Sequence, residues 1–170
     1  MSLSQAPVFL EGRLRVEPNP AAVAAVVAEE LLSALSRREV LGLATGRTME
    51  PVYAALRERL RLLPSAQRHS LLEGWRSFNL DEYVGLGPAD SRSFAAFMRQ
   101  QLGEPLALPS ARLQLPDGLA ADPQLEADRY AAALASAGGI DLQLLGLGAN
   151  GHVGFNEPPC SAEAPCRCLE

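Results

Sequence analysis

Leu142 to Leu147 is an apolar run that passes straight into a glycine-rich turn, with Gly146, Gly148 and Gly151 set around Asn150. An apolar segment of that length between turn signals reads as a buried strand. The turn is followed at once by an imidazole, His152, and a carboxylate, Glu157. In an open α/β sheet, ligands bind beyond the carboxyl ends of the strands. A titratable pair at such an end is a candidate acid/base couple. His152 alone would fit a structural histidine on a connecting loop. The density of Gly, Asn, His and Glu at one strand end favours function.

The same form occurs twice more. Val40 to Ala44 reads as a central strand, and Thr45-Gly46-Arg47-Thr48 is the turn out of it. Hydroxyls and backbone amides at a helix start suit a phosphate. The spacing matches neither a Walker loop nor a dinucleotide fingerprint, and Thr48 serves equally well as a plain helix N-cap. Trp75 to Leu80 is another strand, ending at Asp81-Glu82. Adjacent carboxylates on extended backbone point to opposite sides, so one faces a pocket and the other makes a structural contact or meets solvent.

Helical segments separate these strands. Asn19 with Pro20 opens a helix over 21–35. Val52, Leu56 and Leu60 share a face of the next one. Asp90 or Ser91 is expected to cap a short helix carrying Phe94, Phe97 and Met98 as core residues. Residues 102–119 read as a connection with a short strand near Ala111 to Leu113. Asp122-Pro123 starts a final helix that Gly138-Gly139 ends. Strands alternating with helices predict an α/β fold with a Rossmann-like, doubly wound, mainly parallel sheet and helices on both faces.

Composition sets outer limits. At 170 residues the chain supplies one well-cored domain, read as spanning 1–170. A net charge of -5 argues against nucleic acid, which needs a basic face. No apolar run spans a bilayer and no leader pattern opens the chain, so no membrane partner and a cytoplasmic location are expected. Cys160, Cys166 and Cys168 cluster at one end. They make no disulfide framework and lack a recognised zinc spacing, so free thiols are expected.

LATGRT, FNLDEYVGL with the later SRSF, and LGLGANGHVGFNEP together resemble the glucosamine-6-phosphate deaminase family, in order and in spacing. That family lies within the larger group that includes 6-phosphogluconolactonases. The resemblance implies a metal-free, cofactor-free reaction of amino-sugar catabolism, turning glucosamine 6-phosphate into fructose 6-phosphate and ammonia. It makes Asp81 the base that moves a proton between C2 and C1. It gives His152 the ring-opening proton transfer, with Glu157 supporting it and Asn150 completing the catalytic set. Thr45, Gly46, Arg47 and Thr48 would hold the substrate phosphate.

Two departures qualify the resemblance. Asn150 stands where some members have Asp, and Cys166 and Cys168 flank an expected arginine, Arg167. The family continues past the point matching Glu170, with further strands and basic residues that grip phosphate. The domain is thus expected to lack the family's C-terminal part, and this chain to bind sugar phosphate weakly unless another chain, or a dimer contact, supplies the missing face. The resemblance implies a small sugar phosphate as partner, with the chain expected as a monomer or homo-oligomer. Tyr83 after Glu82 and the intact Phe155-Asn156-Glu157-Pro158 run favour a deaminase over a lactonase. A non-catalytic sugar-phosphate-binding protein is the remaining alternative.

Overall fold

The computed structural model describes residues 14–161 and 163–169. Four short strands, β1 (Leu41–Leu43), β2 (Ser77–Asn79), β3 (Leu113–Gln114) and β4 (Leu142–Gln143), form one sheet in the order β3-β2-β1-β4. All three pairings are parallel. Parallel neighbours need long crossovers, and helices supply them. α1 (Pro20–Ser36) leads into β1. α2 (Glu50–Leu62) and α3 (Ser65–Glu73) join β1 to β2. α4 (Phe94–Met98), a π-turn over Arg99–Gly103 and α5 (Glu104–Leu106) lead towards β3, and α6 (Pro123–Ser136) joins β3 to β4.

Side chains alternate across each strand, and this sorts the core into two layers. Leu41 and Leu43 face one way, into a cluster with Leu31 and Leu35 of α1, Tyr53 and Leu56 of α2 and Met98 of α4. Phe78 faces the other way, with Val40 and Tyr130 of α6. Its ring meets that of Tyr130 edge-on at 5.8 Å. The Tyr130 hydroxyl also donates to the carbonyls of Asn79 (2.8 Å) and Gln114 (3.0 Å), tying α6 to β2 and β3. The fold is therefore doubly wound α/β, as expected.

The caps explain where the long helices start. Asn19 Oδ1 accepts from the Ala22 amide at 2.9 Å, and Asp122 Oδ1 accepts from Gln124 and Leu125, both at 3.0 Å. After α6 the backbone turns left-handed at Gly138 and Gly139, with φ of 90° and 88°, a conformation that favours glycine. Two expectations need correction. Ser93, not Asp90 or Ser91, caps α4, its Oγ accepting from the Ala96 amide at 3.0 Å. Asp90 is instead engaged by Arg92. The strand expected over Leu142 to Leu147 stops at Gln143, and the Leu144 amide makes one further bond to Gly42 O at 2.8 Å. Among the described residues β4 has a neighbour only at β1, so Leu145 and Leu147 have no layer to enter and are 49% and 79% exposed.

Strand order places the site. From β1 the chain winds outward through β2 to β3, then crosses back to β4 on the other side of β1. The connections thus diverge between β1 and β4, which is the topological switch point where such sheets bind ligands. No helix among the described residues is long and apolar enough to cross a membrane.

Candidate active site

Three strand ends converge beside the switch point. At the end of β1, Gly46 adopts φ 105° with open space around its Cα. The Met49 amide donates back to Gly46 O at 2.9 Å, closing a turn before α2. Thr48 is not the N-cap: Met49 takes that position, and no side chain caps the helix. Thr45 is half-buried, while Gly46, Arg47 and Thr48 are exposed. This uncapped helix start with hydroxyls around it keeps the geometry an anion needs.

At the end of β2 the two carboxylates separate as alternation requires. Glu82 turns to α4. Its Oε1 accepts from the amides of Tyr83 (2.8 Å) and Phe94 (2.9 Å), and its Oε2 from Ala95 (2.8 Å). It is a structural anion on a helix start. Asp81 turns to the loop after β4. Burial, and next the Glu82 charge, push its pKa up to about 6, against a smaller opposing pull from the Phe155 backbone amide. A carboxylate raised by desolvation is a stronger base at neutral pH than a solvated one.

The loop after β4 brings the imidazole. Asn150 lies between His152 and Glu157. A carboxylate only accepts, so Asn150 presents its amide Nδ2 to Glu157. Its Oδ1 then faces His152 Nδ1 at 2.6 Å. That oxygen also only accepts, so Nδ1 carries the proton and Nε2 is left free for proton exchange. Glu157 Oε1 is 3.6 Å from Nδ1, so its main support reaches the imidazole through Asn150. Two glycines permit this packing. A Cβ on Gly148 would lie 2.2–2.5 Å from three atoms of the His152 ring, and one on Gly154 (φ 58°) would lie 3.0 Å from Asp81 Oδ2.

A small turn holds the loop onto β2. Val153 and Asn156 exchange backbone bonds of 3.2 and 3.0 Å, and Phe155 sits within this turn. Its ring packs on Phe94 at 5.7 Å and Tyr83 at 4.9 Å. Arg167 Nη2 donates to Asn156 Oδ1 at 3.0 Å, tying the tail to the same turn. The sequence pattern places Phe94 in the core and marks Phe155 only as part of a motif, and it does not bring the two rings together. Their aromatic types were a signal, but the contact joins three distant segments. The three cysteines are free, and no group of three metal-ligating side chains occurs among the described residues.

Residues 18–155 match the family model for glucosamine-6-phosphate isomerases and 6-phosphogluconolactonase. The chain belongs to that family. A glucosamine-6-phosphate deaminase of Geobacillus sp. (strain WCH70) is 44% identical over 77% of this chain and 50% of the relative. One from Hahella chejuensis is 41% identical over 91% of this chain and 58% of its own. The chain thus spans about half to three-fifths of the curated relatives it matches. A solved monomeric glucosamine-6-phosphate deaminase superposes with TM-score 0.76 at 34% identity, covering 86% of this chain and 59% of that one. A 6-phosphogluconolactonase from Thermotoga maritima (TM-score 0.59, 22% identity, 78% of this chain and 59% of that one) shares the fold.

Glu82→Ala gives a first expected outcome. Losing the bonds to α4 should lower stability by about 1–2 kcal/mol, read by denaturant melts. Removing the neighbouring negative charge should also lower the Asp81 pKa, shifting any acid limb that Asp81 sets below about 6. Burial is the larger cause and remains, so the limb should stay above the usual aspartate range. An unchanged melt would remove Glu82 from the structural role.

Proposed function

We propose that this chain carries the catalytic half of a glucosamine-6-phosphate deaminase, acting on a phosphorylated amino sugar in the cytoplasm. The supporting observation is a desolvated Asp81 at the end of β2, contacted by the loop after β4 that also carries His152 oriented by Asn150. Thr45 to Thr48 hold the phosphate against the amides at the start of α2. His152 Nε2 takes the proton of the C1 hydroxyl and returns it to the ring oxygen, opening the sugar. The protonated imidazole formed in between is stabilised by Asn150 and, at longer range, by Glu157. Asp81 then removes the proton from C2 and delivers it to C1. As the C2 proton leaves, the C1 oxygen takes a proton from the substrate's ammonium group to give an enolamine, and the proton returned by Asp81 to C1 leaves a C2=N iminium. Water adds to C2 of that iminium, and ammonia leaves as the C2 carbonyl forms. One water is consumed for each fructose 6-phosphate and ammonia released.

Asp81 must be ionised to take the C2 proton, so kcat/KM should rise with pH through an acid limb near 6. A profile flat from pH 5 to 8 would contradict this role. Presenting glucosamine 6-phosphate and 6-phosphogluconolactone in separate assays tests the reading against its relative on the same fold. Deamination with no acceleration of lactone hydrolysis is expected. Lactone opening without ammonia release would replace it.

A further inference from the structure

We infer that a groove at the far end of α2 is a second anion site, built for a small organic phosphate. The groove has a volume of about 630 Å³, within the range of roughly 300–1,000 Å³ typical of small-molecule sites. Three guanidinium groups line it, Arg57 and Arg61 from α2 and Arg68 from α3, against one carboxylate, Glu58. Leu72 and Leu106 provide an apolar wall. The chain as a whole carries a net charge of -5, so this local excess of positive charge runs against the rest of the molecule.

The arginines are positioned but not neutralised. Arg57 Nη1 donates to Gln101 O at 2.6 Å and to Gln101 Oε1 at 3.1 Å. Arg68 Nη1 reaches Arg61 O at 3.4 Å. Both are half-buried, and neither makes an ion pair among the described residues. Their acceptors are neutral oxygens, which fix the fork and leave the charge unspent. Arg61 alone is matched, through Nε and Nη2 to Glu58 at 2.9 and 2.6 Å. That pair is largely exposed, so it competes weakly with an incoming anion.

The helix dipole accounts for Arg61 in the last turn of α2. It does not account for Arg57 a turn earlier, or for Arg68 arriving from another helix. Planar guanidinium forks match phosphate oxygens in pairs, and the apolar wall suits the body of an organic ester. α2 starts beside Thr45 to Thr48, and its groove arginines, Arg57 and Arg61, lie about 10 and 16 Å further along the helix axis from Glu50.

Calorimetric titration of the protein with phenyl phosphate and with inorganic pyrophosphate tests the assignment. Saturable binding should weaken at least about tenfold in R61Q/R68Q, the scale expected for losing charge-assisted bonds. E58Q releases Arg61 and should tighten binding about threefold, a gain that misfolding cannot produce. T48A, which alters the loop at the other end of α2, should leave this binding in place. Absence of saturable binding overturns the proposal. So does binding that is unchanged in both groove variants, or that is lost in T48A and kept in R61Q/R68Q.

Discussion

Asp81→Asn should lower turnover of glucosamine 6-phosphate by about 10²- to 10⁴-fold, the range supplied by a positioned general base. The amide keeps the size of the carboxyl group but cannot take a proton from carbon. The variant should nevertheless fold at least as well as the parent. Asp81 has a folded-state pKa raised from 3.8 to about 6, so between those values the folded chain binds more protons than the unfolded one. Stability from this group is present at low pH and is lost as pH rises through about 6. A neutral amide removes that penalty, so the Tm of the variant at pH 7.5 should equal or exceed that of the parent. At pH 4 the advantage should vanish. A variant that lost both activity and several degrees of Tm at pH 7.5 would make Asp81 a structural residue.

Gly148→Ala should reduce turnover about 10²-fold, the cost of displacing a catalytic group by about an ångström. The added methyl would lie within 2.5 Å of Cε1, Nδ1 and Nε2 of His152. Either the ring swings off Asn150 or the loop lifts from the crevice. The ring has the softer response, so the loss should fall on the chemical step more than on phosphate binding. kcat should drop with a smaller change in KM. A helical or core role for Gly148 would instead lower Tm. That position is half-buried on the loop after β4, outside the core clusters, and the melt should be close to that of the parent. Full activity in this variant would mean that His152 does not need the bond to Asn150.

Much of this was legible in the sequence because it depends on local chemistry. Asn19-Pro20, Asp122-Pro123 and Gly138-Gly139 specify their helix ends by cap geometry alone. The separation of Asp81 from Glu82 follows from strand alternation, and the structure assigns Glu82 to α4. What escaped depends on partners from elsewhere in the chain. Leu145 and Leu147 look like strand residues, but β4 has no outer neighbour among the described residues to bury them. Asp90 and Ser91 are good caps by type, yet Ser93 is the one whose backbone is extended at the start of α4. Asn150 stands where some family members have Asp. Its amide gives a directed bridge instead, joining Glu157 to the imidazole and setting which ring nitrogen is free.

The central claim is that residues 45–157 hold the working parts of the deamination. The direct test is a coupled assay on the purified chain, following fructose 6-phosphate and ammonia together. Substrate should be taken high enough to offset the weak phosphate grip expected from the sequence. Equal amounts of both products, abolished by Asp81→Asn, are predicted. No product from the parent chain at saturating substrate, or equal turnover by Asp81→Asn, would contradict the account.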